Sequence, residues 1–319
     1  MNEQEWLAST DPQAMLEFLT GSSFGPLGLA REEARIPKPG DRKLRLFAVA
    51  CCRQVWHLLT DERCRRCVEA AERYADDPSA VLGPYYDDAA ERFEEIDNSG
   101  HGELWWAMVA RHVCNRTDDF SARVGGSIVR SLLRKDRIAP AALASLLRDI
   151  AGNPFRPVKL PPGERICDSC NGTGKSRQSF CCRCDGRGWF LDGPCPWLTP
   201  SVRALAEALY AGRCETTGHL DPLGLRALAD ELELAGCPQE MECEETVDVP
   251  CSGCSGDGVV GTLGYTMACV FCSPRHGVRG SGKQQTTVSR RMPHPLLAHL
   301  REPGPHVRGC HVVDLFRLV

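Results

Sequence analysis

The chain has 319 residues, of which 42% are hydrophobic and 25% charged, and its formal net charge is -4 at pH 7. That composition supports a sizeable core and excludes a disordered chain, while the slight negative charge excludes a general polyanion binder. No stretch approaches the roughly eighteen apolar residues of a membrane helix, and MNEQEWLASTDP lacks a basic segment followed by an apolar run, so the expectation is a cytoplasmic protein without membrane contact.

From residue 1 to about 157 the pattern is helical. Asp11 and Pro12 form an N-cap and first-turn pair ahead of Ala14, Met15, Phe18 and Leu19. A loop is expected over 22–39. Asp41 then opens DRKLRLFAVACCRQVWHLL, where Leu44, Phe47, Ala48, Cys51, Val55 and Leu58 recur at intervals of three and four and predict one helix with a buried face. Thr60 is the expected cap of a helix running to residue 75, stopped by Asp77 and Pro78. Further helices are expected over 85–96, 104–115, 121–134 and 141–150. Later, Thr199 with Pro200 and Asp221 with Pro222 start two more helices, ending near Gly212 and Gly236. Residues 295–300 and 311–318 are short apolar segments of open type.

Between the helical parts lies CDSCNGTGKSRQSFCCRCDGRGW, which holds two copies of Cys-x-x-Cys-x-Gly-x-Gly: Cys167, Cys170, Gly172, Gly174 and Cys181, Cys184, Gly186, Gly188. A third copy follows at Cys251, Cys254, Gly256 and Gly258, and then a bare pair, Cys269 and Cys272. Two cysteines three apart grip one ion from a single turn, and two such turns complete the tetrahedral thiolate set that zinc favours. The glycines allow the chain to reverse so that backbone N–H groups face the thiolates. The expectation is about two zinc ions per chain, one from Cys167, Cys170, Cys181 and Cys184 and one from Cys251, Cys254, Cys269 and Cys272. Pairing within each half closes the shorter loop and costs less entropy. Nineteen cysteines at such spacings, with no export signal, point to metal thiolates rather than a disulfide scaffold.

These residues resemble the cysteine-rich zinc domain of DnaJ-type co-chaperones. The resemblance covers two short stretches. It implies zinc-bound β-hairpin knuckles and contact with protein. In the fourth copy Ser273 and Pro274 stand where the family has a variable residue and a glycine, so the glycine is missing, and the chain has no His-Pro-Asp tripeptide, so no J-domain activity is implied. The family's own pairing is nested, first repeat with fourth and second with third. A second resemblance lies in DRKLRLFAVACCRQVWHLLTDERCRR, LLRDIAGNPFRPV, WLTPSVRALAEALY, LADELELAGC and GPHVRGCHVVDLF, which are similar to an expanded family of uncharacterised bacterial proteins. It offers a fold hint and no activity.

The expected fold is therefore mainly α, a helical body with two small zinc-binding hairpin insertions. The body takes 1–160, 197–240 (a helical hairpin) and 293–319, and the insertions take 161–196 and 241–292. Surface loops tolerate such insertions.

Other constellations read more plainly. Cys51, Cys52, Cys64 and Cys67, near His57, read as core thiols ahead of a third metal site, because no Gly-x-Gly accompanies them. Cys182 reads as a bystander, and His306, Cys310 and His311 as packing and capping groups. Two phosphate-loop look-alikes fail: one has Ser169 at its first glycine position, the other Gln284 in place of the magnesium-binding hydroxyl. Nothing points to catalysis. The residues from Gly258 to Arg301 include no acid but contain Arg275, Arg279, Lys283, Arg290, Arg291 and Arg301, which suit either a nucleic-acid backbone or compensation of thiolate charge.

The functional expectation is a zinc-binding scaffold or protein-interaction protein, with chaperone-like capture of a protein partner included. The alternatives are a nucleic-acid-binding protein using 258–301 and a thiol–disulfide oxidoreductase using one labile Cys-x-x-Cys pair.

Overall fold

The structure, a computed structural model, describes residues 1–21, 41–99, 104–114, 129–130, 132, 138–169, 175–176, 179–180, 189–255, 257, 259–262, 265–268, 281 and 283–317. It is mainly helical and divides into two compact units: a body, Met1–Cys237 with Ala298–Val319, and a smaller unit, Pro238–Leu297. The body's helices are α1 (Glu3–Ala8), α2 (Pro12–Thr20), α3 (Asp41–Gln54), α4 (Glu62–Asp76), α5 (Gly83–Ser99), α6 (Leu104–Val113) and α7 (Pro140–Ala151), followed by α8 (Pro200–Ala211) and α9 (Pro222–Leu234). The last two are α10 (Pro295–Arg301), which begins in the smaller unit, and α11 (His311–Arg317).

Local chemistry sets most helix starts. The Asp11 carboxylate accepts from the backbone N–H groups of Gln13 and Ala14, and Asp221 does the same for Leu223 and Gly224. Thr199 caps α8 through Val202 N–H. Asn2 and Glu5 form a reciprocal capping box around α1. The cap of α4 is Asp61, one residue after the expected Thr60, because its carboxylate accepts from Arg63 N–H. The expected long helix through Leu58 stops at Gln54 and gives way to a 3-10 turn, Trp56–Leu58. Residues 121–134 were expected to be helical; those among them that are described, 129, 130 and 132, are helical, and the rest lie outside the described residues.

α3 packs on α4, α6 and α7, and α2 also packs on α7. Their shared core contains Trp6, Met15, Leu16, Phe47, Cys51, Val68, Leu143 and Ile150, all essentially buried. α8 packs on α9 and α11, burying Leu209, Leu228, Leu232 and Phe316.

A polar network crosses these layers. Glu72 and Asp76 lie one helical turn apart on α4. Glu72, with 2% of its side chain exposed, accepts from Arg53 at 2.7 Å and from Arg213 at 2.8 and 2.9 Å, and Arg308 lies 3.5 Å away. Asp76 accepts from Arg42, Arg308 and the Tyr210 hydroxyl. Arg42 also takes Asp314 of α11 in a two-pronged grip, 2.5 and 3.1 Å. Arg308 and Arg317 stack on the Tyr210 ring.

Burial alone would raise the Glu72 carboxyl, but the arginine hydrogen bonds and charges outweigh it and hold Glu72 below its ordinary range. Asp76 is held low in the same way, against its burial, chiefly by Tyr210, Arg308 and Arg42.

The first cysteine-rich segment forms two antiparallel pairs: β1 (Gly163–Ile166) with β4 (Trp189–Gly193), and β2 (Lys175–Ser176) with β3 (Ser179–Phe180). The second repeats this nesting: β5 (Glu240–Pro250) pairs with β8 (Lys283–Pro293), enclosing β6 (Val259–Thr262) paired with β7 (Tyr265–Ala268). Eleven residues per strand give the outer ribbon of the smaller unit a length of about 36 Å.

Replacing Glu72 by Gln leaves the buried Arg53 and the partly buried Arg213 around an uncharged amide and should cost about 3–5 kcal/mol, measured by urea unfolding. Because the folded values of Glu72 and Asp76 are depressed, their stabilisation is complete above the unfolded carboxylate range of about 4 and is lost as pH falls through the folded values. The Gln variant should therefore lose less stability on acidification than the parent.

Candidate metal centres

Among the described residues, one group of side chains in the body could hold a metal ion: Asp149, His299, His306 and Cys310, whose ligand atoms all lie within 4.8 Å of one another. Asp149 is in the last turn of α7, His299 is on α10, and His306 and Cys310 lie on the connection to α11. Asp149 Oδ1 lies 2.8 Å from His306 Nδ1 and 3.1 Å from His299 Nε2, which is itself 3.2 Å from Cys310 Sγ.

Three of the four side chains are also held from outside the cluster. Val307 N–H donates to Asp149 Oδ2 at 2.9 Å. His306 Nε2 faces the Glu302 carbonyl at 3.0 Å, so it carries a proton and leaves Nδ1 turned to the centre. Cys310 sits just before α11, and the N–H groups of Val312 and Val313 point at its sulfur. His311 Nδ1 meets the Asp149 carbonyl at 2.7 Å, and Lys43 Nζ donates to the next carbonyl, Ile150, at 2.8 Å. Those two side chains satisfy carbonyls that the end of α7 would otherwise leave without partners.

Burial acts on Asp149, His306, Cys310 and His311, and for the first two contacts within the cluster outweigh it. It would raise the Asp149 carboxyl, but hydrogen bonds from His299 and His306 and their charge hold it well below the usual carboxylate range. His306 would be lowered by burial, yet contact with Asp149 raises it. Burial, reinforced by the Asp149 charge, pushes the Cys310 thiol well up, so sulfur in this place becomes a thiolate only if a cation compensates it. His311 is lowered to about 4, first by burial and then by His299, and stays neutral.

The arrangement differs from a carboxylate–imidazole–nucleophile relay. A relay uses both nitrogens of one imidazole, one toward the nucleophile and one toward the carboxylate. Here the same nitrogen of His299 faces both.

Of the expected thiolate ligands, Cys167, Cys251 and Cys254 are described and all three are buried. Cys170, Cys181, Cys184, Cys269 and Cys272 lie outside the described residues. Cys251 and Cys254 form a tight turn with Cys254 N–H donating to the Cys251 carbonyl at 3.2 Å and Asp257 N–H to the Cys254 carbonyl at 2.9 Å. Ser255, directly after the second cysteine, has φ of 52°, the left-handed conformation a knuckle needs to reverse the chain.

In the N-terminal body, Cys67 Sγ donates to the Ala110 carbonyl and Cys114 Sγ to the Cys67 carbonyl, while Cys51 and Cys52 are fully buried with their thiols pushed up by desolvation. These are groups of the core. His306, Cys310 and His311 do cap and pack, but Asp149 and His299, which complete the cluster, carried no signal in the sequence. The spacing His299, His306, Cys310 matches no local ligand motif, and Asp149 is 150 residues from His299.

In comparisons with known proteins the chain matches no family model, no curated protein and no solved structure. Its likeness to the DnaJ-type zinc domain rests on the motif copies themselves. No helix among the described residues is long and apolar enough to cross a membrane.

Gly152, which ends α7, has φ +75° and ψ -166°, a region open essentially to glycine. A Cβ there would come within 2.8 Å of the His311 ring. Gly152→Ala should therefore displace His311 from the Asp149 carbonyl and destabilise the body by about 1–3 kcal/mol, read from its thermal midpoint.

Proposed function

We propose that the protein is a zinc-dependent interaction protein in which two knuckle-tipped hairpins present a rigid surface to extended segments of other proteins. The observation that carries this reading is the nested pairing of each cysteine-rich segment. Val259 pairs with Ala268, the residue before Cys269, and the outer strands meet at Pro250 and Lys283, next to Cys251. Lys175 pairs with Phe180, the residue before Cys181. In the second segment the inner hairpin returns the chain to the level of Cys251 and Cys254, which favours a four-thiolate ion within that segment over pairing between segments. Such ions, closed by sulfur on all four sides, are structural.

The outer ribbon of the smaller unit suits protein contact. Met241 and Met292 are register partners, and Val288 lies on the same face; all three are exposed. Methionine gives an adaptable apolar surface, and an extended peptide can add to a ribbon edge. The basic residues of β8 favour nucleic acid less. β5 brings Glu240, Glu242, Glu244, Glu245 and Asp248 into the same ribbon, and Arg291 lies 3.9 Å from Glu242.

Metal analysis of the full chain tests the zinc part. Cys251→Ser combined with Cys269→Ser should remove one zinc and leave the ion of the first segment, whereas loss of both knuckle ions would overturn pairing within each segment. For the interaction part, a permanently unfolded carboxymethylated polypeptide should bind the parent chain, and Met241→Glu with Met292→Glu should weaken that binding several-fold. Equal binding by the double variant, or tight, salt-resistant binding of nucleic-acid probes instead, would reverse the assignment.

A further inference from the structure

The body cluster is independent of the cysteine repeats. We propose that Asp149, His299, His306 and Cys310 form a buried, four-ligand transition-metal site, of the chemistry that takes zinc, which fastens the C-terminal segment to the end of α7.

Three features support a metal rather than a hydrogen-bonded knot. The first is convergence. His299 Nε2 is 3.1 Å from a carboxylate oxygen and 3.2 Å from a sulfur, and His306 Nδ1 turns to the same oxygen at 2.8 Å. One imidazole nitrogen carries at most one proton and serves one good acceptor, whereas a cation between these atoms serves all four donors at once. Zinc with bonds of about 2.0–2.3 Å sets tetrahedral ligands roughly 3.3–3.7 Å apart, so adjustments of under about an ångström at the three closest contacts would admit it.

The second feature is the chemistry of the set. A carboxylate, a thiolate and two neutral imidazoles bring two negative charges to a divalent ion, and the buried site becomes neutral overall. Sulfur with imidazole selects zinc-class ions and disfavours magnesium or calcium, which want oxygen alone.

The third is the surrounding support. A ligating histidine typically donates its other ring N–H to a carbonyl or carboxylate, and His306 does so to Glu302. The free carboxylate oxygen of Asp149 is held by Val307 N–H, and the sulfur of Cys310 faces the amides of Val312 and Val313. Asp149 and His306 are 4% and 5% exposed, Cys310 is fully buried, and His299 alone reaches solvent, at 16%. With four protein donors and so little access, the ion is structural.

Its position gives it a role. Asp149 precedes both cysteine-rich segments, and the other three ligands follow them, so one ion closes the body across everything inserted between. α11 has only seven residues and would be marginal alone.

The test uses the full chain. In crystals grown without chelator, anomalous difference maps at the zinc edge should place a peak within about 2.0–2.3 Å of Asp149 Oδ1, His299 Nε2, His306 Nδ1 and Cys310 Sγ. In solution, His299→Gln and Cys310→Ser should each lose one zinc per chain, and amide exchange of α11 should quicken at least tenfold on chelation. Cys251→Ser should keep the body ion. A map with no peak at this position, or unchanged zinc in natively folded His299→Gln, overturns the proposal. If a variant fails to fold, the map of the parent chain still decides. A peak in the body with none at the cysteine repeats would reject the knuckle reading and leave this one standing.

Discussion

Two carboxylates on one turn of α4 constrain the body more than any apolar contact does. Glu72 and Asp76 gather guanidinium groups from α3, from the chain after α8 and from the approach to α11. An apolar core tolerates some sliding, because burial is non-directional. Hydrogen-bonded ions do not, since moving one arginine leaves a charge without its partner in a poorly hydrated place. The network therefore adds little to raw stability relative to a well-packed apolar alternative, but it admits one arrangement of α3, α4, α8 and the C-terminal segment.

That C-terminal segment is short and is anchored twice. Arg308 and Asp314 belong to the arginine–carboxylate network, while His306 and Cys310 belong to the Asp149 cluster. The two sets alternate along fewer than ten residues, so this stretch is gripped from both sides. Between them, His311 seals the end of α7 and Val312, Val313 and Phe316 enter the core. Such anchoring explains how two helices of seven residues hold their places without a long apolar face.

What could be read from the sequence was the chemistry that acts over a few residues. Asp-Pro and Thr-Pro pairs marked the starts of α2, α8 and α9, and three-four spacing marked the buried face of α3. The break after Gln54 was hidden, because Val55 and Leu58 continue the helical period while the chain tightens into a 3-10 turn. Thr60 and Asp61 are both good caps in a row, and only the hydrogen bond distinguishes them. The cysteine repeats announced themselves through glycine punctuation. The Asp149 cluster did not: Arg-Asp-Ile-Ala-Gly reads as the end of a helix, and nothing near Asp149 reveals that histidines from the far end of the sequence converge on it. The basic run of β8 was legible as a charge asymmetry, but its acidic counterweight sits on another strand and appears only once register is known.

The uninterrupted register from Glu240 opposite Pro293 to Pro250 opposite Lys283 carries a consequence for how this hairpin can change length. Successive residues of a strand point to opposite faces, so adding one residue to each strand would turn the tip over and exchange the Met241–Met292 face for its opposite. Adding two to each lengthens the arm by about 7 Å and restores the facing. Homologous arms should therefore differ by even steps per strand, with odd ones accompanied by a β-bulge, and a designer wishing to move the tip outward without rotating it has the same discrete set of lengths.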